Sequence, residues 1–126
     1  MMSRRIQLTV LAAAALLFSA CGGSIIPEVS PELVAAAQAR GIDPALLAEG
    51  RAQYVRDCSG CHALHAPARK SAAGWRKALD EMSVKAKLDA RRRQLIENYL
   101  AAASDAAAAQ SAAQAASPSS SKSAVQ

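Results

Sequence analysis

Aromatic side chains are scarce in this chain of 126 residues, where Trp75, Tyr54, Tyr99 and Phe18 together make up 3%. Phe18 lies in an apolar N-terminal run, so three aromatics remain to fill whatever interior the rest of the chain builds. A small domain with so thin a core is marginal on hydrophobic burial alone, and usually needs a staple, a metal or a bound group. Cysteines are few as well. Cys21, Cys58 and Cys61 make an odd count, which is awkward for a disulfide framework. Alternating strand patterns are missing from the chain beyond the apolar run, which argues against any fold built on a sheet.

What is present begins with an export signal. Arg4 and Arg5 precede an apolar run from Ile6 to Ala20 that is too short for a comfortable membrane span and is followed by small residues. Residues 1–20 read as a signal peptide. Leu17-Phe18-Ser19-Ala20-Cys21 resembles a bacterial lipobox, and that resemblance implies a lipid on Cys21 and a membrane anchor; plain signal cleavage is the alternative. Gly22 stands where an aspartate often retains such proteins at the inner membrane, so the resemblance favours an outer-membrane anchor facing the periplasm. Residues 21–42, with Pro27, Pro31 and Gly41, are expected to form a disordered tether with a short helix from Pro31 to Arg40.

The domain is expected over residues 43–102 and is all-α, with three to four helices. Asp43-Pro44 is a helix start, an N-cap followed by proline at the first helical position. Leu47, Gly50 and Tyr54 then share one face, and Gly50 cuts a notch in it. A second segment from Ser71 to Met82 puts Trp75, Leu79 and Met82 on one side. A third begins at Asp89 and places Leu95, Ile96, Tyr99 and Leu100 together. Residues 103–126, rich in alanine and serine and nearly without charge, are expected to be a disordered tail.

The most specific stretch is Cys58-Ser59-Gly60-Cys61-His62. Two thiols three positions apart can each add to a vinyl group of a haem, and the adjacent imidazole can bind the iron. A disulfide, a zinc knuckle and a thioredoxin-like thiol pair are the other readings of two such cysteines. The run resembles the attachment signature of c-type cytochromes, and residues 44–102 resemble a short bacterial monohaem cytochrome c domain of class I type. That resemblance implies one covalent haem c, with Cys58 and Cys61 as attachment points and His62 as an iron ligand. It also implies that a proline carbonyl, here of Pro67, orients the His62 ring, and that Tyr99 meets Gly50 where the first and last helices cross.

A six-coordinate iron needs a second axial ligand. Met82 is the only methionine beyond the signal, and it lies far enough along the chain to reach the opposite side of the ring. His65 is three residues from His62, a span of about 10 Å at most, and is expected to be exposed and uninvolved. Trp75 and Met82 together resemble a subgroup of short bacterial cytochromes c, which implies that Trp75 packs against the haem.

Between Pro44 and Leu100 there are eleven lysines and arginines against six acids, a net +5. Such a surface either steers an acidic redox partner or is ordinary solvated charge. Export argues against nucleic acid. With both axial positions filled, substrate has no open site, so the expected role is a periplasmic one-electron carrier and not an enzyme in itself. It would be a free-standing carrier or the haem subunit of a larger oxidoreductase. The alternatives are a haem sensor or ligand-binding protein with a labile Met82, and a thiol oxidoreductase using Cys58 and Cys61.

Overall fold

The computed structural model describes residues 24–117. The expected signal peptide, the lipidation at Cys21 and the last nine residues of the tail lie outside these. Four α-helices follow in chain order: α1 (Pro31–Ala39), α2 (Leu47–Cys58), α3 (Ala72–Lys85) and α4 (Ala90–Ala116). Single 3₁₀ turns at Pro44–Leu46 and Pro67–Arg69 precede α2 and α3. No strand occurs among the described residues, so the all-α expectation holds. None of the described helices is long and apolar enough to cross a membrane.

Helices α1, α3 and α4, and the 3₁₀ turn that leads into α2, start where a side chain satisfies a free backbone N–H, while α2 itself has no side-chain cap. Ser30 accepts from Leu33 N, and Ser71 from Gly74 N at 3.2 Å. Asp43 accepts from Ala45 N at 2.9 Å, and Asp89 from Arg92 N at 2.8 Å. The end of α1 is closed by Gly41 at φ +69°, with Gly41 N bonded to Gln38 O and Ile42 N to Ala37 O, both at 2.9 Å. Glycine suits that left-handed residue. The end of α3 has the same pattern, with Lys87 N on Val84 O and Leu88 N on Ser83 O, but the left-handed residue is Lys87 at φ +52°.

The long α4 is the central element, and α1, α2 and α3 all pack on it. Leu33, Leu47, Ile96, Tyr99 and Leu100 form the most deeply buried part of the core. Tyr54 sits among them, edge-on to Trp75 with ring centroids 6.2 Å apart and 6.4 Å from Tyr99. The expected crossing of α2 and α4 is present at Gly50. A Cβ there would lie 2.3 Å from the Leu95 carbonyl oxygen and 2.9 Å from Tyr99 Cβ, so only glycine permits this approach.

Both expected domain boundaries move outward. Residues 24–42 are not a free tether, because Ile26, Leu33 and Ala37 are buried in the core. Two side chains also hold this segment, Arg51 through the Ile26 and Pro27 carbonyls and Tyr99 through Pro27 O at 2.7 Å. At the other end, α4 continues past Ala102, and Ala103, Ser104 and Ala106 are buried. Arg40 at the end of α1 pairs with Asp105 at 2.5 Å. Alanine is small enough to let α1 lie close against this part of α4, which is why a stretch without large apolar residues is still core. Beyond Ala107 the helix is exposed.

Candidate haem attachment site

Helix α2 ends at Cys58, and the chain leaves it through Ser59 and Gly60 to Cys61 and His62. Cys58 is half-buried at the edge of the core, as are Val55, Leu64 and Leu88, while Cys61 and His62 are exposed. Both thiols are free. Burial pushes the Cys58 thiol up from its ordinary value, and the nearby Asp57 and Cys61 charges add to this. It also sits at the C-terminal end of its helix, where the backbone dipole disfavours an anion. A thiol oxidoreductase needs the reverse, a thiolate stabilised by a helix N-terminus or a cation. No group of three or more His, Cys, Asp or Glu side chains able to hold a metal assembles among the described residues, which leaves a zinc knuckle without its ligand set there.

The His62 ring is oriented by its neighbour. Nδ1 lies 2.8 Å from the Ala63 carbonyl oxygen. A carbonyl can only accept, so this contact places the proton on Nδ1 and leaves the Nε2 lone pair free, the tautomer that an iron ligand requires. The expected donor to Pro67 is therefore replaced. Pro67 O instead accepts from Trp75 Nε1 at 2.8 Å, because the indole of α3 reaches the 3₁₀ turn from inside the core. The His65 ring stacks on His62 with centroids 5.4 Å apart and is exposed. Tyr54 fixes the backbone at this point, donating to His65 O at 2.8 Å and accepting from His65 N at 3.2 Å.

Trp75 is buried, held by Pro67 and Tyr54. Met82 lies in the last turns of α3 and is partly buried, and the exposed Val84 follows two residues on. The helices bearing Cys58 and Met82 each pack on α4. A feature that sequence reading missed links their ends. The Asp57 side chain, next to Cys58, is 11% exposed, and its Oδ2 accepts no hydrogen bond. Its Oδ1 pairs with the neighbouring Arg56 at 3.1 Å, and across the fold its Oδ2 faces Arg92 at 3.7 Å. Asp57 and Arg92 are far apart in the chain, and no local spacing announces the contact.

A groove lies elsewhere. It measures about 490 Å³ between α1 and the second half of α4 and is walled mainly by alanines. Asp105 at its edge is already paired with Arg40.

The donor set fits a covalent haem: two free thiols in register, an imidazole with its coordinating nitrogen bare, and half-buried apolar residues beside Cys58. An all-helical domain ending its first long helix in this set is a c-type cytochrome. The family model for dihaem cytochrome c matches residues 54–125, more than half of the chain, and the chain belongs to this family. No curated protein and no solved structure matches it. The match starts at Tyr54 and takes in the Cys58 to His62 motif, Trp75, Met82 and α4. The sequence contains one Cys-x-x-Cys-His run.

Proposed function

We propose that this chain is a periplasmic carrier of single electrons that binds one haem c. In this reading Cys58 and Cys61 hold the haem through thioether bonds, His62 Nε2 and the Met82 sulfur take the two axial positions, and Cys21 carries a lipid anchor. The observation that carries the reading is the His62 tautomer set by Ala63 O beside two unpaired thiols. Family membership supports haem-based electron transfer. The bound group supplies the reversible Fe(III)/Fe(II) couple, and a methionine ligand raises its potential relative to histidine.

The protein's own residues do the rest. Tyr54 and Ala63 hold the loop and the ring of the proximal ligand, and α3 presents Met82 from a helix anchored by Trp75. Arg69, Lys70, Lys77 and Lys87 are exposed and make no ion pair among the described residues, in contrast to Arg76, Arg91, Arg92 and Arg93. These unpaired cations are free to attract an acidic surface on a redox partner.

The test is mass spectrometry of protein made in a host with haem-attachment machinery. One haem mass per chain is expected, lost in the Cys58→Ala, Cys61→Ala double variant. A chain without the adduct sinks the reading. Carbon monoxide should bind the wild type slowly and Met82→Ala rapidly; rapid binding by the wild type would instead favour a sensor with an open site.

A further inference from the structure

The turn after Met82 is strained. Lys87 holds φ +52°, a left-handed conformation that costs a residue with a Cβ and is kept only where its surroundings enforce it. Two contacts enforce it here. Leu88 packs its partly buried side chain against the core, and Arg92 Nη2 donates to the Lys87 carbonyl at 2.9 Å. The same guanidinium bonds Asp89 Oδ2 through Nε at 2.8 Å, and its Nη1 faces Asp57 Oδ2 at 3.7 Å. Asp57 Oδ1 accepts from Arg56 Nε at 3.1 Å, while its buried Oδ2 has no hydrogen-bond partner and faces only the Arg92 guanidinium.

These contacts meet at one side chain. Arg92 joins the end of the Cys58 helix, the cap of α4 and the turn that ends the Met82 helix. In the proposed haem protein those same elements would carry the Cys58 attachment point and the Met82 iron ligand. We propose that Arg92 is a positioning residue for the iron's second ligand, tying the turn after Met82 to the attachment end of α2. The inference rests on the reading of Met82 as an axial ligand. A planar fork with several donors can serve three acceptors at once, whereas a lysine ammonium at that position would keep the charge but lose the span.

The experiment compares haem-loaded wild type, Arg92→Gln and Arg92→Lys. The readouts are the rate of carbon monoxide binding to the ferrous form and the methionine-to-iron charge-transfer band of the ferric form. Covalent haem mass and helical circular dichroism are followed as controls. Both variants are expected to keep haem and helix, to weaken the band, and to bind carbon monoxide about tenfold faster, the factor for losing one well-made charged contact. Asp57→Asn leaves the Lys87 and Asp89 contacts in place and loosens the same span from its other end, with a smaller acceleration in the same direction. It tests the inference even where Arg92→Gln does not fold.

Rates within about twofold of wild type in Arg92→Gln, a difference too small for a lost charged contact, would overturn the inference while leaving the Met82 reading intact. Wild-type behaviour in Arg92→Lys with a fast Arg92→Gln would overturn it too, by showing that charge alone suffices. Rapid carbon monoxide binding by the wild type would remove the Met82 reading and the inference together.

Discussion

Gly50 of α2 meets Tyr99 of α4 so closely that a Cβ on Gly50 would stand 2.9 Å from the Tyr99 Cβ and 2.3 Å from the Leu95 carbonyl oxygen. The second contact is with backbone in the middle of a helix, which cannot swing aside as a flexible side chain could. Gly50→Ala should therefore separate α2 from α4. Alanine's better helix propensity is worth about 1 kcal/mol, less than the overpacking cost of up to about 3 kcal/mol, so a net loss of up to about 2 kcal/mol is expected. Urea unfolding of the haem-loaded protein would measure it. An alanine variant as stable as wild type would mean that the crossing is looser than described.

This crossing was legible in the sequence because a helical glycine and an aromatic each announce themselves on an otherwise periodic face. Asp43, Ser71 and Asp89 were legible as helix starts for a similar reason, since capping chemistry is local. The docking of α1 was not. Its partner is the stretch 103–106, Ala-Ser-Asp-Ala, which has no large apolar residue to mark a buried face. The Arg40–Asp105 pair that closes this contact joins residues 65 apart in the chain. At the site, Cys58, Cys61 and His62 were readable from spacing, but the acceptor of the His62 proton was not. Both Ala63 and Pro67 present carbonyls near the ring in sequence, and only the fold shows that Trp75 claims the one on Pro67.

Trp75→Phe isolates that claim. Phenylalanine retains most of the ring contact with Tyr54 but leaves the carbonyl of the buried Pro67 with only its long 3.4 Å bond from Lys70 N. The expected cost is about 1 kcal/mol, the net worth of one hydrogen bond. Loss of the only tryptophan removes the indole fluorescence, so unfolding should be followed by circular dichroism. Limited proteolysis should cut wild type slowly between His62 and Lys70 and the variant faster. An unchanged cleavage rate would show that the turn holds without the indole.

Alkaline conditions should unfold the protein through Tyr99. Its ring is fully buried and its hydroxyl donates to Pro27 O at 2.7 Å. Burial, the leading cause, raises its pKa well above the ordinary 10.0. The unfolded chain then releases this proton at lower pH than the folded one, so stability falls as pH rises. The contribution is fully present below about pH 10 and is lost as pH climbs from there toward the folded value. Tyr54 is raised in the same direction, again chiefly by burial, and adds to the slope. Urea midpoints measured across this alkaline range should decline steeply for wild type and less steeply for Tyr99→Phe. Parallel declines would assign the loss to other groups.

Truncation distinguishes the two ends of α4. Residues 108–117 are exposed, and an isolated alanine-rich helical extension of that length is marginal in water, so its removal should cost little. A chain ending at Ala108 is therefore expected to match the full chain in thermal midpoint and in haem content. A chain ending at Ala102 loses buried Ala103, Ser104 and Ala106, together with the Arg40–Asp105 pair. It also uncovers Leu33 and Ala37 on α1, a loss of about 2–4 kcal/mol at the usual value of buried apolar surface. That is a large part of the stability of so small a domain, and α1 should exchange its amide hydrogens freely in the shorter chain. Equal stability of the two truncated chains would return the boundary to Ala102 and make the docking of α1 incidental to the fold.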